Sequence, residues 1–184
     1  EIIREIATLF MLGSVAWISG KTFLKRLSIF LFLFGIWDII YYVALKIFIN
    51  WPETLLTWDI LFLIPITWVG PVLAPVICSV VMIGMNFTFD YLRKYKNLSE
   101  LKTSELLVMI LGSAFIFYTF TIDFGMIILN GNFLADFFAL PENPEFIKIL
   151  ESWQPTHYNW TVFVLGIIII LVGLSLTIRR SFKN

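Results

Sequence analysis

The chain has 184 residues, of which 59% are hydrophobic and 14% charged, with a mean hydropathy of +0.90. A soluble domain carries roughly 45–50% apolar and about 25% charged residues, so this composition excludes one. The formal net charge of zero gives no hint of nucleic acid, and the single Cys78 excludes a disulfide framework.

Several apolar runs approach the roughly 20 helical residues needed to cross a hydrocarbon core of about 30 Å. They are continuous rather than alternating, which argues against an outer-membrane barrel. The expected fold is all-α: one polytopic transmembrane domain over 1–184, with spans near 3–19, 27–48, 69–89, 105–129 and 160–178. Nothing in the residues present reads as a cleavable signal peptide.

Taken in order, the first span carries Arg4 and Glu5 at its head and ends at a short basic turn with Lys21, Lys25 and Arg26. The second span contains Gly35, Asp38, Tyr41, Tyr42 and Lys46. Asp38, Tyr42 and Lys46 recur at every fourth residue, which places them on one helix face as a polar stripe. A carboxylate at membrane depth costs about 2.5–3.5 kcal/mol on insertion scales, so such residues persist where protein or a water-filled cavity surrounds them. Asp38 reads either as a proton- or cation-binding group with tyrosine donors, or as a structural tie to a neighbouring helix. Arg4 is the expected counter-charge, since arginine is the more weakly hydrated cation.

Between the second and third spans lies a stretch dense in helix breakers, with Pro52, Pro65 and Gly70-Pro71. Pro52 is tolerated in a first helical turn, with Asn50 or Trp51 as its cap. Residues 52–64 would make about 20 Å of helix at about 1.5 Å per residue, too short to span. The spacing predicts an interfacial or re-entrant half-helix over 52–64 that carries Asp59, ended by Pro65.

A second basic loop follows the third span, with Arg93, Lys94, Lys96 and Lys102. The fourth span bears Asp123 in its far part, where it and Asp38 are expected to open towards one outward cavity. The excursion from Asn130 to Asn159 contains Pro141-Glu142-Asn143-Pro144-Glu145. Asn143 caps and Pro144 starts a predicted amphipathic surface helix over 144–153. Its apolar face is Phe146, Ile149, Leu150 and Trp153; Glu145, Lys148 and Glu151 lie opposite. Each excursion follows a span bearing an aspartate and leads into an apolar span with a basic end, a grammar compatible with duplicated hairpins and with ordinary loops alike. The fifth span holds Gly166 and Gly173, which permit close helix approach, and ends in Arg179, Arg180 and Lys183.

Positive charge sets the expected orientation. Segments 20–26, 91–104 and 179–184 hold ten of the thirteen Lys and Arg, so these are assigned to the cytoplasm of a cell membrane, with the N-terminus outside and the C-terminus inside. Trp51, Trp58, Trp68, Trp153 and Trp160 then gather near the outer interface, where indoles are favoured.

Most other chemistry finds no residues to carry it. His157 is the only histidine and reads as an interfacial anchor, Cys78 has no zinc-ligand partner, and no phosphate-cradling loop or nucleophile elbow is present. No metal site and no cofactor is indicated, and no complete catalytic set stands out. The expected partners are the lipid bilayer and other membrane subunits or further copies of the chain. The first functional reading is an accessory or structural subunit of a larger membrane complex. The alternatives are a small oligomeric transporter or channel using Asp38 and Asp123, or a lipid-modifying enzyme using Asp38, Asp59 and Tyr42. The candidate ligand- or proton-binding residues are Asp38, Tyr41, Tyr42, Asp59, Asp123 and Arg4.

Overall fold

The computed structural model describes residues 1–131, 133, 143–153 and 157–183, with the backbone alone at Leu150 and Glu151. Pro141 and Glu142 of the second excursion lie outside the described residues. The elements are α1 (Ile2–Ser19), α2 (Phe23–Ile49), β1 (Trp58–Phe62), β2 (Trp68–Pro71), α3 (Leu73–Lys96), α4 (Thr103–Asn130), α5 (Pro144–Ser152) and α6 (Trp160–Lys183). Five of them, α1, α2, α3, α4 and α6, are long and apolar enough to cross a membrane. The chain is mostly helical, as an all-α multi-pass architecture requires, with one small sheet added.

That sheet corrects the half-helix expected over 52–64. Asn50 does not start a new helix. It closes α2 in the left-handed conformation (φ 55°), with its N–H bonded to Leu45 O, as asparagine at such a position commonly does. Thr54 and Thr57 then make a turn, their hydroxyls accepting from Leu56 N and Thr54 N, each at 3.2 Å. From Trp58 the chain extends, and β1 pairs antiparallel with β2 through Trp58↔Pro71, Asp59↔Gly70, Ile60↔Val69 and Phe62↔Trp68, with an irregularity between Ile60 and Phe62.

The physical reason lies in the residues. Trp58, Ile60, Phe62, Trp68 and Val69 are aromatic or β-branched and suit a pleated surface, while Pro65 falls in the connection and Pro71 at a strand end, where no ladder donor is lost. Two further bonds, Val72 N to Thr57 O at 3.0 Å and Leu73 N to Leu55 O at 2.7 Å, tie the base of the hairpin into the first turn of α3. As a result the third long helix begins at Leu73 rather than near 69, and it runs to Lys96 rather than 89.

The helices pack chiefly as two antiparallel pairs, α2 with α3 and α4 with α6, with α1 laid against α2. In the α4–α6 pair small residues set the distance. A Cβ on Gly112 would stand 2.6 Å from Gly166 O, and one on Gly166 would stand 2.8 Å from Gly112 O. The same closeness at Gly35, where a Cβ would stand 2.8 Å from Ser79 O, brings α2 onto α3.

The hairpin joins the two pairs. Trp68 stacks on Phe120 (centroids 6.0 Å apart, 15° between planes) and Trp58 meets Tyr158 edge-on at 6.1 Å. Tyr158 also exchanges a 2.8 Å hydrogen bond with Thr119 on α4. From α1, the buried Glu5 carboxylate accepts from Leu63 N at 3.0 Å and holds the hairpin tip.

At the far end of α4, α5 is the expected amphipathic helix: Asn143 Oδ1 accepts from Glu145 N at 3.0 Å and Phe146 N at 3.2 Å. Phe146 is buried against Phe124 and Phe133, while Glu145 and Lys148 are exposed.

Candidate functional site

The seam between α2 and α3 carries a file of polar groups. On α2, Lys25, Ser28, Gly35, Asp38, Tyr42 and Lys46 recur at intervals of three, four and seven, which keeps them on one face. On α3 the answering residues, Asp90, Asn86 and Ser79, come in reverse order because the helices are antiparallel.

At the end where the Lys and Arg residues gather, Lys25 Nζ donates to both oxygens of Asp90 at 2.8 and 2.9 Å. One turn along, Ser28 Oγ donates to Asn86 Oδ1 at 2.7 Å, with both residues buried. Then comes an apolar stretch at Ile83, which packs against Gly35. The seven residues from Asn86 back to Ser79 correspond to about 10 Å along the helix.

Beyond it lies the second polar group. Ser79 Oγ donates to Asp38 Oδ2 at 2.7 Å. Tyr42, one turn above Asp38 and buried, donates its hydroxyl to Asp59 Oδ2 on β1 at 3.0 Å. Lys46 Nζ turns instead to Pro52 O at 2.9 Å and caps the bend into the hairpin. Asp38, Tyr42, Asp59 and Ser79 therefore form the candidate site: two carboxylates and two hydroxyls, roofed by the hairpin.

The partners of the carboxylates set its electrostatics. Among the described residues the ion pairs are Arg4–Glu1, Lys25–Asp90, Arg93–Asp90 and Arg180–Glu105. Neither Asp38 nor Asp59 belongs to one. Burial pushes the Asp59 carboxyl above its ordinary range, and the hydrogen bonds from the Tyr42 hydroxyl and the Ile60 N–H pull partly back. Each hydroxyl occupies one lone pair of a carboxylate oxygen, and the Ile60 N–H takes another on Asp59; the remaining lone pairs have no partner among the described residues. Such an oxygen-rich set suits a proton or a hard cation.

The other expected residues fall elsewhere. Tyr41 packs edge-on against Tyr42 at 5.3 Å and stacks with Trp37 at 6.1 Å, on the flank of the site. Arg4 does not reach Asp38; its guanidinium pairs with Glu1 on the exposed start of α1. Asp123 lies in a separate cleft of about 470 Å³ between the end of α4 and α5, with Met126, Asn130, Ile149 and Trp153. The structure brings together Asp38, Tyr42 and Asp59; Asp123 stands apart, and Arg4 comes no nearer than Tyr41 on the flank.

Ser79, Ser28, Asn86 and Asp90 were not among the residues singled out from sequence, nor was Glu5 as a hairpin clamp. A signal for most of them exists in the same intervals of three, four and seven read along both helices. Isolated serines and an asparagine in apolar runs become legible only once α2 and α3 are known to face each other.

Comparison with protein-family models, with curated proteins and with solved structures returned no match. The functional reading therefore rests on this chain's own residues.

Proposed function

We propose that this chain is a small multi-pass membrane protein that binds a proton or small cation at Asp38, Tyr42, Asp59 and Ser79 and passes it along the α2–α3 seam. One observation carries the reading: both carboxylates of the site bond to neutral hydroxyls, with no cation beside them among the described residues. A hydroxyl can serve a carboxylate in either protonation state, as donor to the ionised form or acceptor from the neutral one. A fixed ammonium or guanidinium would favour only the ionised form. The other polar group of the seam, Lys25–Asp90 and Ser28–Asn86, lies towards the basic end, across the apolar stretch at Ile83. The positive-charge distribution supports an orientation with the hairpin outside and the basic end in the cytoplasm.

The test is proton and cation flux into liposomes holding the purified protein, read with an internal pH dye and with ion-selective dyes. Wild-type protein should conduct above empty liposomes, and Asp38→Asn and Asp59→Asn should fall to the empty-liposome level while remaining folded. Wild-type flux no greater than that of empty liposomes would sink the transport reading.

A second reading, an accessory subunit of a larger membrane complex, is favoured by α1. That helix lies against α2 with Ile3, Phe10, Trp17 and Ile18 largely exposed, a surface suited to lipid or to a partner helix. In this reading the Asp38 site serves as a relay within an assembly. Mild-detergent extraction that yields only monomer, with no co-purifying polypeptide, counts against it.

A further inference from the structure

At the basic end, the start of α2, the last turn of α3 and the 97–101 loop enclose a cleft of about 570 Å³. Its walls are apolar at Phe23, Leu24, Leu98 and Leu106, and polar at Arg93 and Ser99. The volume lies within the roughly 300–1,000 Å³ typical of ligand pockets. Phe23 is largely exposed beside it, so the apolar wall runs out onto the side of the helix bundle.

We propose that this cleft binds the headgroup of an anionic phospholipid, with the phosphate against Arg93 and the acyl chains leaving past Phe23. Charge complementarity is the first argument. This end of the molecule carries ten Lys and Arg against Asp90, Glu100 and Glu105. Asp90 and Glu105 are already engaged, by Lys25 at 2.8 Å and Arg180 at 2.6 Å, leaving excess positive charge around the cleft.

Arg93 is the second argument. Its bond to Asp90 is long, 3.4 Å, because both Asp90 oxygens are taken at closer range by Lys25. Its remaining guanidinium donors have no protein acceptor among the described residues, and a planar fork of donors is the geometry that matches phosphate. The cleft opens beside the first turn of α2, where Thr22 Oγ1 receives Lys25 N and Thr22 O receives Arg26 N. The N–H groups of Phe23 and Leu24 precede those bonds, in the part of a helix that favours anions. Glu100 lines the same cleft and opposes an anion, but its side chain is exposed to solvent and its carbonyl accepts from Arg180 Nη2 at 2.9 Å.

The test is lipid retention by the full chain. Protein is delipidated, mixed with phosphatidylglycerol or phosphatidylcholine in detergent, and examined by native mass spectrometry, with glycerol phosphate added in a parallel arm. Wild-type protein should retain one phosphatidylglycerol in preference to phosphatidylcholine. Glycerol phosphate alone should not displace it, because the acyl chains contribute. Arg93→Gln should weaken retention about fivefold, the effect of one cation near a membrane surface. Ser99→Trp, which fills the cleft from an exposed position and keeps Arg93, should also weaken it. Arg179→Gln, which removes one charge of the same end away from the cleft, should change retention little. Equal retention of both lipids, displacement by glycerol phosphate alone, or equal losses in Arg93→Gln and Arg179→Gln overturns the site. Melting curves of each variant identify any that fail to fold; if Arg93→Gln is among them, undiminished retention in Ser99→Trp overturns it.

Discussion

The two ends of the molecule treat their carboxylates differently. At the basic end, Asp90 is held by Lys25, and Glu105 by Arg180 through two short bonds at 2.6 and 2.8 Å, each a fixed ion pair across two helices. At the hairpin end, Glu5 takes the N–H of Leu63, Asp38 the hydroxyl of Ser79 and Asp59 the hydroxyl of Tyr42. An ion pair favours the charged carboxylate, as an N–H donor does, whereas a hydroxyl can also accept from the protonated form. The basic end thus sets its carboxylates against cations, and the hairpin end sets them against neutral donors. Both kinds of contact hold helices together, so the presence of an intramembrane aspartate alone does not reveal a site; its partner does.

The comparison breaks most visibly at Glu105. It is buried and its partner Arg180 is only about one-fifth exposed, so Glu105→Gln should destabilise by about 3 kcal/mol, the lower part of the range for breaking a buried pair. Thermal unfolding in detergent reads it, and a melting point within experimental error of wild type would contradict the assignment. Next in size is Gly112→Ala, whose added methyl meets the backbone of α6; overpacking of that kind costs about 1–3 kcal/mol. Under the proposed function, liposome flux should survive this variant if α4 and α6 only support the site.

Asp90→Asn and Asp38→Asn sharpen the contrast directly. Asp90 is partly exposed, so losing its pairing with Lys25 should cost about 1 kcal/mol at most, with ion flux retained in part. Asp38→Asn keeps an acceptor for Ser79 and should cost less still, below about 1 kcal/mol, yet abolish flux. Equal functional losses in the two variants would remove the distinction between the ends.

The smallest effect concerns pH. The folded-state pKa of Asp59 is raised above its ordinary value of 3.8, mainly by burial. A raised carboxyl pKa means the native state holds the proton more tightly, so this contribution to stability is complete below about pH 3.8 and is lost as pH rises through the folded value. Asp59→Asn should flatten that slope in melting temperature measured from about pH 3.8 upwards; an unchanged slope would assign it to other groups.

Much of this architecture was legible in the sequence. Long apolar runs bounded by Lys and Arg define helices whatever they pack against, and the cap at Asn143 follows from local chemistry, whereas the cap at Thr22, which starts α2 at Phe23 rather than near 27, emerges only in the structure. The spacing of Asp38 and Tyr42 placed both on one face of the second span, the face that meets Ser79 and Asp59. The hairpin was not legible, because a short apolar run such as Trp58–Phe62 does not distinguish helix from strand by periodicity, and prolines fit the ends of either. The strand outcome depends on Trp68 finding Phe120 and on Glu5 supplying an acceptor to Leu63, contacts between residues far apart in the chain. The pairing of Asp38 with Ser79 rather than Arg4 was hidden for the same reason: α1 and α3 both flank α2, and the contacts at Gly35, Ser28–Asn86 and Lys25–Asp90 that set α3 against this face join residues far apart in the chain.

The glycine contact between α4 and α6 has a consequence for the order in which the protein opens. Where Gly112 and Gly166 meet, main chain approaches main chain, and the side chains of Ile116 and Ile170 pack over the contact. Amides there can exchange with solvent deuterium only when the whole pair separates. The hairpin, held by a few bonds at its tip and base, can release its amides by a local excursion. Deuterium uptake should therefore run as a sequence in time: the 54–72 segment first, the α2–α3 seam later, and the turns around Gly112 and Gly166 last.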